Sequence, residues 1–77
     1  MVQVRYFAAA QEFAGHSSEE RSEETVGQLR SALAASYPAL GGILPKCAVL
    51  VNGARVADET TLSATDQVDV LPPFAGG

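Results

Sequence analysis

Cysteine occurs once in this 77-residue chain, at Cys47, so no internal disulfide can staple the fold. A small unstapled domain of this kind fits a reducing cytoplasm. Positive charge is also scarce: Arg5, Arg21, Arg30, Lys46 and Arg55 are scattered among nine acidic residues, for a formal net charge of −4. Nucleic acid is a poor partner for such a surface, because its binding draws on clustered cations that neutralise phosphates. A basic cleft on another protein suits it better. Every apolar run falls far short of the ~20 residues needed to cross a bilayer, so no membrane partner is expected. Met1-Val2-Gln3-Val4-Arg5 lacks the charged-then-apolar order of a secretion signal. His16 is the only histidine and has no Cys or carboxylate cluster at ligand spacing, so no metal and no intrinsic cofactor are expected.

What is present reads as one globular unit over residues 1–71, followed by a tail, 72–77. Apolar residues make up 47% and charged residues 18%, which excludes a disordered chain. Val2-Gln3-Val4-Arg5-Tyr6-Phe7 alternates as a strand does, with Val2, Val4 and Tyr6 on one face and Gln3, Arg5 and Phe7 on the other. Ala8–Ala14 reads as one or two helical turns closed by Gly15. Ser17–Glu24, with four glutamates, reads as a solvated loop or an edge strand. Thr25 then caps a helix and Gln28 completes a capping box, with Val26, Leu29, Ala32, Leu33 and Tyr37 on one face until Pro38 stops it.

Leu40–Pro45 reads as an irregular crossing. Cys47–Val51, Asn52-Gly53 and Ala54–Val56 read as a hairpin with a type I′ turn. Asp58–Asp66 reads as a loop with a short helical turn around Leu62, and Asp66 and Asp69 as capping or solvating a turn. Gln67–Leu71 alternates as a last strand. The two-layer solution for this order is α+β: a mixed four- to five-stranded sheet with one main helix on one face. The first and last strands lie parallel at its centre, joined by the helical crossover that parallel neighbours need. That is the β-grasp, or ubiquitin-like, architecture.

The chain closes on Leu71-Pro72-Pro73-Phe74-Ala75-Gly76-Gly77. At ~7% glycine, a terminal pair arises by chance in about one chain in 200. Pro72 and Pro73 fix φ and push the preceding residues to extended geometry, so the tail should project from the domain. Gly76 and Gly77 lack Cβ and allow the backbone into a narrow channel. Strand parity turns Phe7 and Leu71 to the open face at the tail's end of the sheet, and Phe74 follows. These three form a candidate partner-binding patch; the alternative is that Phe7 tucks under the Ala8–Ala14 turn. Cys47 opens an apolar strand and reads as a core residue rather than a nucleophile. No catalytic constellation is present, so acids, bases and phosphate-binding groups must come from partners.

Val4-Arg5-Tyr6-Phe7-Ala8, Thr25-Val26-Gly27-Gln28-Leu29, Val51-Asn52-Gly53 and the Leu71–Gly77 tail resemble the small, sulfur-carrying subunit of molybdopterin synthase, the MoaD-like branch of the MoaD/ThiS family. The likeness runs over nearly the whole chain. Gly-Gly is shared by all sulfur carriers and ubiquitin-like proteins, whereas the Pro-Pro step points to the molybdopterin branch. Ser17–Glu24 departs from the family's alternating second strand, and Thr65-Asp66 replaces its Gly-Asp turn. The resemblance implies a non-catalytic subunit of molybdenum cofactor biosynthesis. An ATP-dependent, MoeB-like enzyme would adenylate Gly77, which becomes a thiocarboxylate. A MoaE-like large subunit, in a heterotetramer, would accept the tail and pass sulfur to the pterin precursor. Other readings of the same end are a carrier for thiazole or cysteine synthesis, a ubiquitin-like protein modifier, and a non-covalent interaction module.

Overall fold

A computed structural model describes residues 1–73. The elements are β1 (Val2–Tyr6), α1 (Ala9–Ala14), β2 (Ser18–Arg21), α2 (Val26–Ser36), α3 (Pro38–Ile43), a 3₁₀ turn (Leu44–Lys46), β3 (Ala48–Val51), β4 (Ala54–Arg55) and β5 (Gln67–Leu71). The strands form one sheet in the order β2-β1-β5-β3-β4. β1 and β5 run parallel with Val4 beside Val68 and Tyr6 beside Val70, and the other neighbours are antiparallel. This is the β-grasp arrangement expected from the sequence, with five strands and β1 beside a central β5.

One face of the sheet carries the core. Val2, Val4, Tyr6, Val49, Val51, Val68 and Val70 are buried there with Val26, Leu29 and Leu33 of α2 and Leu40 of α3. Alternation in the strands and helical spacing in α2 produce this directly. At α2, Thr25 Oγ1 accepts the Gln28 N–H at 3.2 Å, while Gln28 Oε1 accepts the Glu24 N–H at 3.1 Å. The reciprocal bond thus reaches one residue beyond the usual capping box.

The hairpin turn is as the sequence implies, with Asn52 at φ 51° and Gly53 at φ 85°. Asn52 also ties the turn to β5: its Oδ1 accepts the Gln67 N–H and its Nδ2 donates to Asp66.

Three expectations are corrected. Pro38 ends α2 but also starts α3 as its first residue, so most of Leu40–Pro45 is helical instead of irregular. Gly41 permits this: a Cβ there would lie 3.1 Å from Ala34, so the glycine lets α3 close onto α2. Leu62 is buried without a helical turn; Thr61 bridges Thr25, and the Leu62 N–H donates to Glu24. Asp66 does cap the turn before β5, accepting the Ser63 N–H at 2.8 Å, but Asp69 lies within β5. Ser18–Arg21, open between loop and strand in the sequence, forms the edge strand β2.

Candidate functional site: the strand-end platform and the tail

The tail leaves the sheet from the end of its central strand. Leu71 is the last residue of β5, paired with Ala48. Pro72 is buried and Pro73 exposed. Phe74, Ala75, Gly76 and Gly77, including the expected sulfur-carrying end, lie outside the described residues.

Phe7 and Leu71 are both half-buried beside this exit. The Phe7 N–H donates to the Val70 carbonyl at 3.1 Å, so Phe7 is held against the last turn of the β5 path. The Arg5 guanidinium carbon stands 5.3 Å from the Phe7 ring centroid, which puts the ring on the open face with Arg5 instead of under α1. Arg5 is itself fixed by a two-pronged bond to Asp69, Nε to Oδ1 at 2.8 Å and Nη2 to Oδ2 at 2.9 Å. Hydrogen bonding to Asp69 raises the Arg5 pKa above its ordinary value. The ion pair joins β1 to β5 across the open face and limits the freedom of the Phe7 ring.

The structure adds two residues to the patch that the sequence reading omitted. Ala48 and Leu50 of β3 are half-buried on the same face, opposite Leu71 and Asp69. Their alternation with buried Val49 and Val51 was the available signal, masked by the uniformly apolar run. Phe7, Leu71, Ala48 and Leu50 together give the tail's end of the open face an apolar floor crossed by one ion pair. Such a surface can hold a partner by apolar burial, with the Arg5–Asp69 pair and the half-buried Gln3 giving register.

A polar cluster missed in the sequence occupies the other side of β1. The Tyr6 hydroxyl donates to Glu19 Oε1 at 2.6 Å and the Tyr37 hydroxyl to Glu19 Oε2 at 2.7 Å. His16 Nε2 lies 3.1 Å from Glu19 Oε2 and 3.0 Å from the Tyr37 hydroxyl, with its ring stacked on Tyr6. Burial alone opposes ionisation of Glu19, but the bonds from Tyr37 and Tyr6, with Arg21, hold its carboxyl below the ordinary range. Burial and the bond to Glu19 raise the Tyr6 hydroxyl well above its ordinary value. Arg21 is shared between Glu19 at 3.4 Å and a two-pronged bond to Glu23. The i, i+3 spacing of His16 and Glu19 was visible in the sequence, but the tyrosines come from β1 and the end of α2, which only the fold brings together.

Cys47 is buried, and its thiol donates to the Ile43 carbonyl at 3.3 Å. Burial pushes its pKa up, which favours the unreactive thiol and agrees with a core role. Among the described residues no group of three or more His, Cys, Asp or Glu side chains could hold a metal ion, and no helix is long and apolar enough to cross a membrane.

The sheet order, the parallel β1–β5 pair and the crossing helix define a β-grasp protein whose last strand runs into a Gly-Gly tail. The ThiS family model matches residues 4–77, and the chain belongs to that family. It is 32% identical over 82 residues to the molybdopterin synthase sulfur carrier subunit of Chlamydomonas reinhardtii, covering 99% of this chain and 98% of that protein. Among solved structures, small archaeal modifier protein 1 from Methanosarcina acetivorans superposes with a TM-score of 0.86 at 29% identity, covering 99% of this chain and 95% of that one. A complex of subunits 1 and 2 of molybdopterin-converting factor from Helicobacter pylori contains a chain with a TM-score of 0.72 at 26% identity, covering 99% and 97%.

Proposed function

We propose that this chain is a cytoplasmic sulfur carrier of the MoaD/ThiS type serving molybdopterin synthesis, with Gly77 as the sulfur-bearing residue. The observation that carries the reading is the placement of an apolar, ion-pair-fixed platform (Phe7, Leu71, Ala48, Leu50) at the point where β5 becomes the Pro72–Gly77 tail. A partner gripping this platform sits beside the point where the tail begins. The full-length likeness to the Chlamydomonas carrier subunit supports the pathway, and the Helicobacter pylori complex supports a large-subunit partner.

A free carboxylate is a poor acyl donor because its leaving group is oxide or hydroxide. An activating enzyme therefore transfers AMP from ATP to the Gly77 carboxylate, releasing pyrophosphate. Hydrosulfide, or a donor that delivers sulfur at the sulfide level, then displaces AMP from the acyl carbon, leaving a thiocarboxylate. In the synthase its sulfur bonds to a carbon of the pterin precursor as an oxygen group leaves that carbon. Water then cleaves the acyl carbon–sulfur bond of the resulting thioester, leaving sulfur on the pterin and returning the Gly77 carboxylate. The domain supplies position, and the enzymes supply the acids, bases and phosphate-binding groups.

Incubation with a competent activating enzyme, ATP and a sulfur source should add the oxygen-to-sulfur mass difference at the C-terminus in intact-mass spectrometry. Absence of that species would sink the proposal. A second reading, a protein modifier joined through Gly77 to lysines, is favoured by the likeness to small archaeal modifier protein 1. Its signature is a set of higher-mass conjugates that resist reducing agent and disappear when Gly76 and Gly77 are deleted.

A further inference from the structure

Two prolines follow β5, and the hydrogen-bond register places each of them next in line on a different ladder. The Gln3 N–H donates to Asp66 O and the Phe7 N–H to Val70 O, so the even-numbered residues of this strand turn their backbone groups toward β1. In that parallel ladder the next bond would run from the amide of residue 72 to the Phe7 carbonyl. Position 72 is proline and has no amide hydrogen. The Phe7 carbonyl instead accepts the Ala10 N–H at 3.0 Å.

On the other side, the Asn52 N–H donates to Gln67 O, which makes 52:67, 50:69 and 48:71 the hydrogen-bonded pairs of β3 and β5. The odd-numbered residues therefore face β3, and the next such pair would join residue 73 to Lys46, the last residue of the 3₁₀ turn that leads into β3. Position 73 is also proline. A central strand has two ladders, and each proline removes the donor that would continue one of them.

We infer that Pro72 and Pro73 act as a two-sided stop: Pro72 ends the ladder with β1, Pro73 ends the ladder with β3, and the sheet is thereby prevented from capturing the residues the partners must use. This makes them positioning residues for the tail, through their missing donors more than through their ring stiffness. The inference rests on the proposed use of the tail as an acyl carrier. Where a fraction of the molecules holds the tail on its own sheet, the apparent affinity of any enzyme for the tail falls by that fraction.

The test replaces both prolines, in the full chain, with alanine and separately with N-methylalanine introduced by chemical ligation. N-methylalanine lacks the amide hydrogen but also lacks the ring. Circular dichroism and thermal melting establish that each variant is folded. The alanine form is expected to show slowed hydrogen exchange at the new amides of residues 72 and 73. It should also lower the kcat/KM of the activating enzyme by about tenfold, the effect of one or two added backbone bonds. The N-methylalanine form should restore activation to within about twofold of the parent, since neither ladder can be extended. Unprotected new amides, undiminished activation of the alanine form, or N-methylalanine behaving like alanine would each overturn the inference. Failure of the parent chain itself to be activated would instead overturn the carrier function.

Discussion

The two faces of Val2–Phe7, strand β1 and the residue after it, do different work. Toward the helices, Val2, Val4 and Tyr6 are buried at 3%, 0% and 2% exposure, and the Glu19 carboxylate beside Tyr6 is bonded by two tyrosines, a histidine and an arginine. Toward the open face, Gln3, Arg5 and Phe7 remain partly exposed, and the one ion pair, Arg5–Asp69, has an arginine side chain 45% exposed. The helix-facing side therefore holds the fold together. The open side has little to lose when altered in the free domain and, under the proposed function, much to lose when a partner binds.

That contrast can be broken most forcefully in the core. Leu33→Ala should cost about 2–5 kcal/mol, as a buried leucine truncation does when a cavity remains. In a domain of this size each kcal/mol lowers Tm by about 4–8 °C, so melting curves will show it. A neutral result would mean that the α2 face does not carry the core.

Glu19→Gln should cost about 1–3 kcal/mol, because a charged acceptor of two tyrosine hydroxyls is replaced by a neutral one. Its pH dependence gives a sharper readout. The folded-state pKa of Glu19 is lowered from 4.5, so its contribution is present above 4.5 and is lost as pH falls through the folded value. Urea titrations between pH 3 and pH 6, to about one-tenth-unit steps near the transition, should show a stability slope in the parent that flattens in the variant. Equal slopes would remove Glu19 from the account of the helix-facing side.

On the open face, Phe7→Ala should lower stability by only about 1 kcal/mol, since the ring is already half-exposed. Binding to the large subunit should weaken by thirtyfold or more, roughly the 2 kcal/mol of an interface anchor, in calorimetric titration. A large stability loss with unchanged binding would reverse the assignment of the two faces. The smallest effect belongs to Arg5→Gln. An exposed pair of this kind contributes little and weakens with salt, so the small difference in melting temperature from the parent should shrink as ionic strength rises.

Local rules made much of this protein legible before its structure. Thr25 and Gln28 mark the start of α2, Asn52-Gly53 marks the hairpin, and alternation in residues 2–7 and 67–71 assigns each side chain to a face, because capping, turn dihedrals and pleating depend on residues a few positions apart. The parallel pairing of β1 and β5 also followed, since the helix between them is the crossover such a pair requires. Helix α3 did not follow. Gly41 and Gly42 argue against a helix on propensity, and only the approach of Gly41 to Ala34 shows why the segment is helical. Ser18–Arg21 was legible only as loop or edge strand, because an acidic strand with an inward-facing Glu19 makes sense only once Tyr6, His16, Arg21 and Tyr37 surround that carboxylate. Asp69 read as a turn cap because its partner, Arg5, lies 64 positions away.

The tail divides in the same way. That positions 72 and 73 cannot donate a backbone hydrogen bond, and that positions 76 and 77 carry no Cβ, belongs to the residue types and was determined by the sequence alone. That β5 is central, that its even-numbered residues bond toward β1 and its odd-numbered ones toward β3, and that Ala48 and Leu50 join Phe7 and Leu71 beside the exit, was decided only by the tertiary structure. Covalent geometry travels with each residue, whereas the partner of a strand's amide is a neighbouring strand that sequence distance does not reveal.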